Sequence, residues 1–176
     1  MWKLFFILTI LVLTSIIGHS QVGSPTVYRT LNKIKGVPSW YTTSHKYDKT
    51  KKDRFKGVDS VYVGIAKLDT NAIVKLIDFL ADTSSTTIPN TCQNGYFTYG
   101  QLAFFLINDI EPIPFYIVTK SQWDVLGECG ILPYGFLNYL KNNASRFETE
   151  YRTYFNSQER QEWLKQIRKK IIRRTR

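Results

Sequence analysis

Residues 69–111 read DTNAIVKLIDFLADTSSTTIPNTCQNGYFTYGQLAFFLINDIE, and this stretch spells out two helices and the link between them. Asp69 is a good N-cap, because its carboxylate can accept from the free backbone N–H groups of a first turn. Ile73, Leu76, Ile77 and Leu80 follow at i, i+3, i+4 and i+7, with Asn71, Lys75, Asp78 and Asp82 on the opposite face. Thr83 to Gly95 is polar and reads as a loop. Thr98 and Gln101 then stand at capping-box spacing, where each side chain can reach the other's backbone N–H. The spacing predicts a second helix over Gln101 to Glu111. Leu102, Ala103, Phe104, Phe105, Leu106 and Ile107 make it apolar nearly all round, and such a helix belongs in the middle of a fold. Pro112 and Pro114 stop it.

The pattern continues in both directions. Downstream, a short helix is expected over Ser121 to Leu126, capped by Ser121 and anchored by Trp123. Pro133 suits the first turn of the next helix, where its missing N–H would be unpaired anyway. Phe136, Leu137 and Leu140 form its stripe. Phe147, Tyr151, Tyr154 and Phe155 form another. After a cap at Asn156 or Ser157, Trp163, Leu164, Ile167 and Ile171 carry a last stripe into a basic end. Upstream, residues 21–68 read as an irregular arm held down by Trp40, Tyr41 and Tyr47. Val58 to Ile65 within it is rich in β-branched residues and reads as a short extended segment. With no βαβ alternation, the fold class is all-α, or mainly α with that one extended segment. The helical domain, 69–176, is then a compact bundle of about five helices ending in a basic one.

The stretch LIDFLADTSSTTIPNTCQNGYFTYGQLAFFLINDI, residues 76–110, resembles a helix–loop–helix unit of exported bacterial helical proteins, itself similar to HEAT-type helical repeats. The matching residues are Leu80, Asp82, Thr83, Thr98, Gly100 and Ala103. The resemblance implies a helical fold and an exported setting, and implies no activity.

Residues 1–20 supply the compartment. Met1-Trp2-Lys3 leads into an apolar run of 14 residues, Leu4 to Ile17, and then Gly18-His19-Ser20. A basic start, a short apolar stretch and small residues at −3 and −1 fit a secretory signal peptide, cleaved after Ser20. A spanning helix needs roughly 20 apolar residues, and this run is shorter. The expected location is therefore secreted or periplasmic. Cys92 and Cys129 are the chain's 2 cysteines. An even pair in an exported chain favours a disulfide. Tetrahedral zinc wants four ligands, and His45 is the one histidine beyond the signal, so neither metal nor cofactor is expected.

The formal charge of +10 is concentrated at one end. Residues 160–176 hold eight basic side chains against the single acid Glu162, and the rest of the exported chain is nearly neutral. Lys165, Arg168, Lys169, Lys170, Arg173 and Arg174 are the candidate anion- or membrane-binding set, with Trp163, Leu164, Ile167, Ile171 and Ile172 as the apolar face of an interfacial helix. The competing reading docks this helix on the core and leaves its end solvated. Export argues against nucleic acid as a partner.

Catalytic signals are thin. His45 sits in Thr-Thr-Ser-His-Lys-Tyr, among lysines, where nothing would hold it rigidly between a nucleophile and an acid. Glu111 lies between Ile110 and Pro112, an apolar setting that can make a carboxyl a general acid, but no second carboxylate is placed by spacing. Asn143-Ala144-Ser145 matches a glycosylation acceptor. Three readings stay open. The first is a non-catalytic binding module engaging an envelope protein or surface. The second is a small exported glycan hydrolase working through Glu111. The third is an anionic-lipid binder working through residues 160–176.

Overall fold

The computed structural model of the chain describes residues 29–42, 55–123 and 130–174, with side chains in the last helix described through Lys169. The signal segment, His45, Tyr47 and Cys129 lie outside the described residues.

Asp59 and Asp69 each start a helix by the same device. Asp59 Oδ1 accepts from the backbone N–H groups of Val61 (2.9 Å) and Tyr62 (3.0 Å), opening α1, Ser60–Ala66. The segment Val58 to Ile65, expected to be extended, is therefore helical. Its β-branched residues carry only a weak preference, and a good cap plus burial of Tyr62 and Ala66 outweighs it. Asp59 Oδ2 also accepts from the N–H of Lys35, tying the upstream chain to this cap. Asp69 opens α2, Thr70–Ile77, and buries Ile73, Leu76 and Ile77. The stripe runs on through Phe79 and Leu80, whose N–H groups bond three residues back at 3.0 Å.

The polar stretch after Asp82 is not all loop. Strands β1, Ser85–Pro89, and β2, Tyr96–Thr98, pair antiparallel with Ser85 opposite Thr98 and Pro89 opposite Tyr96. Thr86 and Ile88 point inward and their neighbours outward, a period-2 pattern that threonines hide from a hydropathy reading. Thr86 makes its burial tolerable by donating to the carbonyl of Phe97 at 2.8 Å. The fold is thus mainly helical with one small antiparallel sheet, and its strands lie elsewhere than expected.

Helix α3, Tyr99–Ile110, begins with the capping box read from the sequence: Thr98 Oγ1 accepts from Gln101 N–H, and Gln101 Oε1 from Thr98 N–H. Every residue from Tyr99 to Ile107 is buried. α1, α2, β2 and α5, Phe136–Asn142, pack on it. Gly100 lets the turn after α2 come close, its N–H donating to Asp82 O at 2.8 Å. A Cβ there would lie 2.5 Å from the carbonyl oxygen of Leu80. Leu80, Asp82 and Gly100 thus meet at one close approach.

Past the two prolines, α4 spans Phe115–Thr119, earlier than the helix expected over Ser121 to Leu126. The Ser121 hydroxyl donates back to Thr119 O at 3.0 Å. Residues 121–123 are irregular, and 124–126 lie outside the described residues. Trp123 anchors the segment nonetheless, donating to Thr119 Oγ1 (2.8 Å) and packing edge-on to Phe136 at 4.9 Å. The remaining helices are α6, Ala144–Phe155, and α7, Gln158–Arg174. At the centre, Phe104 meets Phe105, Phe115, Phe136 and Phe147 with ring centroids 5.1–6.0 Å apart.

The stretch read as an arm contributes directly to this core. Leu31, Ile34, Trp40 and Tyr41 are all buried. Tyr41 stacks on Phe105 at 4.2 Å, donates to Phe105 O and accepts from Asn108 Nδ2.

Candidate functional site

The C-terminal helix is built on a buried charge pair. Pro112 ends α3 so that Glu111, its C-cap, turns back in extended backbone (φ −143°, ψ 115°) with only 5% of its surface exposed. On the other side, the turn after α6 sets Ser157 as the cap of α7, its hydroxyl accepting from Arg160 N–H at 3.3 Å. That places Arg160 one turn into α7, facing Glu111. Nε and Nη2 of the guanidinium each reach one carboxylate oxygen at 2.7 Å. Nη1 donates to Phe155 O at 3.3 Å, and the group stands 4.1 Å over the ring of Phe155. The fork geometry is the strong form of this contact, because both planar groups are fully matched.

Two tyrosines of α6 close the pair off. The hydroxyls of Tyr151 and Tyr154 are buried and have no hydrogen-bond partner among the described residues. Burial pushes both phenols up, and the nearby Glu111 carboxylate pushes them further, with Arg160 acting in the opposite sense. One turn on, Trp163 donates its indole N–H to Pro112 O at 3.0 Å and meets Tyr116 edge to face at 6.5 Å. Arg160 and Trp163 therefore clamp the root of α7 to the segment that follows α3.

Beyond this root the helix changes character. No residue from Gln161 to Lys169 is buried. Leu164 and Ile167 are half-buried and, among the described residues, are not side chains that pack on the core. Among the described residues no carboxylate pairs with Lys165, Arg168 or Lys169. Glu162, the acid of this stretch, accepts instead from Gln158 at 3.3 Å. Lys170, Arg173 and Arg174 continue the same helix, and their side chains lie outside the described set.

No family model matches the chain, and neither a curated protein nor a solved structure matches it.

Glu111 is not placed as a general acid would be. Both of its oxygens are occupied as acceptors, and it faces a guanidinium rather than a cleft. Asp109, the neighbouring carboxylate, accepts from Tyr62 at 2.7 Å on the other side of the helix end. Sequence reasoning found Glu111 but missed its partner, because Arg160 was counted with the tail cations. The available signal was Glu111 itself: a carboxylate flanked by Ile110 and Pro112 needs a cation if it is to stay charged inside. Asn143 of the acceptor motif is half-buried, its amide donating to Tyr139 O at 3.2 Å. No group of three or more His, Cys, Asp or Glu side chains gathers as a metal site among the described residues. No helix there is long and apolar enough to cross a membrane.

Cys92, the described cysteine, is not a free thiol. Its Sγ lies 3.5 Å from Thr42 O and 3.7 Å from Tyr41 O. Trp40 O, one residue away, accepts from Ile131 N–H at 2.8 Å. Gly130 approaches so closely, at φ +63°, that a Cβ would lie 2.1 Å from that same oxygen.

An open groove of about 320 Å³ runs between Thr30 and the α1–α2 corner, lined by Ile65, Leu68, Ala72 and Leu76. Asp69, Asn71, Lys75 and Thr30 line it too, and the first two are engaged with each other in the α2 cap.

Proposed function

We propose that the protein is an exported, non-catalytic interaction module of the cell envelope, and that the outer part of α7 is its contact element. The observation that carries this reading is the contrast along one helix. Its root is clamped by Glu111–Arg160 and Trp163–Pro112, while Lys165, Arg168 and Lys169 extend beyond it with no carboxylate partner among the described residues. A helix docked only to finish the core would bury a stripe along its length. Here no residue from Gln161 to Lys169 is fully buried, and of its apolar side chains Trp163 alone packs on the core among the described residues. The occupied oxygens of Glu111 favour binding over glycan hydrolysis, since paired-carboxylate catalysis needs an acid open to its substrate.

The same reading includes removal of residues 1–20 after Ser20 and a disulfide between Cys92 and Cys129. The bond is supported by the convergence of the Cys92 and Gly130–Ile131 segments on Trp40 to Thr42. The test is sedimentation of the full chain with washed cell envelopes. Wild type is expected to pellet at low salt and to be released at high salt, because exposed charges act only within a Debye length. The triple variant Lys165→Gln/Arg168→Gln/Lys169→Gln is expected to stay in solution. Equal pelleting of the two proteins would refute the assignment.

A further inference from the structure

We infer that the surface met by α7 is an anionic phospholipid bilayer, which the helix enters along the line Trp163, Leu164 and Ile167; the inference rests on the reading above and names its partner. The charge alone would suit any polyanion. Two further observations select a bilayer.

The first is the arrangement of side chains around the helix. At about 100° per residue, Trp163, Leu164 and Ile167 fall within one arc of about 100°. Arg168, Lys165 and Lys169 fill the adjoining arc of similar width. A polyanion in solution gives Leu164 and Ile167 nothing to bury against. A bilayer edge takes up both arcs at once: the apolar arc sinks below the headgroups, and the long basic side chains lie along the surface with their charges at phosphate level. Leu164 and Ile167 are half-buried and are not among the side chains that pack on the core among the described residues.

The second observation is the aromatic pair at the root of the helix. Tyr116 is 58% exposed and stands edge to face with Trp163, whose indole N–H is already satisfied by Pro112 O. An exposed Tyr beside a Trp, each apolar in body and polar at one end, is the pairing that settles at a headgroup boundary. The root clamp fixes where that pair stands relative to the helix, so the aromatics and the cations of α7 can meet one flat surface together.

The experiment is co-sedimentation of the full chain with vesicles of phosphatidylglycerol and phosphatidylcholine (1:1), with pure phosphatidylcholine vesicles and short duplex DNA as the other arms. Wild type is expected to partition onto the anionic vesicles, to ignore phosphatidylcholine and to come off in 0.5 M salt. Lys165→Gln/Arg168→Gln/Lys169→Gln is expected to weaken partitioning about a hundredfold, at about fivefold per basic residue. Leu164→Gln/Ile167→Gln separates lipid from other polyanions: it should lower vesicle partitioning at least tenfold and leave any binding to DNA unchanged. Circular dichroism and melting of both variants should match wild type, since none of these side chains is part of the core. Undiminished vesicle binding by the apolar double variant overturns the inference, as does equal binding to phosphatidylcholine or a wild type that binds DNA but no vesicle. A chain that pellets with envelopes through its cations yet ignores phosphatidylglycerol leaves the interaction module standing and removes the lipid.

Discussion

Arg160 and Glu111, 49 residues apart in the chain, meet fork to fork through two bonds of 2.7 Å in a site where each residue is less than a tenth exposed. This contact decides how the C-terminal helix is carried. A buried pair adds little net stability over a well-packed apolar pair, because desolvation of both ions offsets most of their attraction. Its value lies in position: only one rotation of α7 satisfies both forks.

Removing one partner leaves the other charged and buried. Glu111→Gln is expected to destabilise the fold by about 3–5 kcal/mol, while Glu111→Leu/Arg160→Met returns most of that. Urea unfolding of the three proteins checks it. A Glu111→Gln cost near zero would mean that water reaches the guanidinium.

Gly100 should resist the substitution that usually helps a helix. Glycine to alanine in an open helix interior gains up to about 1 kcal/mol. Here the new methyl group would lie 2.5 Å from Leu80 O and 3.0 Å from Asp82 O, both backbone atoms that cannot swing away. Gly100→Ala is therefore expected to lose about 1–3 kcal/mol, seen as a lower urea midpoint with an unchanged slope.

Alkaline pH should unfold the protein through its buried phenols. Tyr41, Tyr151 and Tyr154 are raised above the ordinary value of 10, in each case by burial first and then by a nearby carboxylate, Asp109 for Tyr41 and Glu111 for the other two. Above pH 10 the unfolded chain has released these protons and the folded chain still holds them. Their contribution is therefore complete below pH 10 and declines as pH rises beyond it, by about 1.4 kcal/mol per pH unit for each phenol. Absorbance at 295 nm should show these tyrosines ionising together with loss of the helical signal. Smooth titration of every tyrosine in a folded protein would contradict this.

The proposed bond between Cys92 and Cys129 has its own readout. Intact mass should rise by about 2 Da on reduction, and thiol reagents should find nothing in the oxidised, denatured chain. Cys92→Ala should then cost on the order of 4 kcal/mol by the loop-entropy model. Two titratable thiols in the oxidised preparation would refute the pairing.

Much of the fold was legible because it is local. The capping box at Thr98 and Gln101, the Asp69 cap and the stripes of α2, α3 and α6 depend on residues three or four apart, and the structure forms all of them. Where a reading failed, a cap or a pairing that hydropathy does not show had decided the matter. Val58 to Ile65 is helical because Asp59 caps it and the core takes Tyr62. Ser85 to Pro89 is a strand because Tyr96 to Thr98 lies across from it.

By itself, then, the sequence determined the helical periodicities, the caps and the gathering of charge at one end, all properties of neighbouring residues. Only the tertiary structure decided that Glu111 is an anchor, that Arg160 leaves the basic set to hold it, and that Lys165, Arg168 and Lys169 have no carboxylate beside them among the described residues. The physical reason is that a charge's role depends on what faces it. Across 49 residues of chain, the facing partner is fixed by packing and not by spacing.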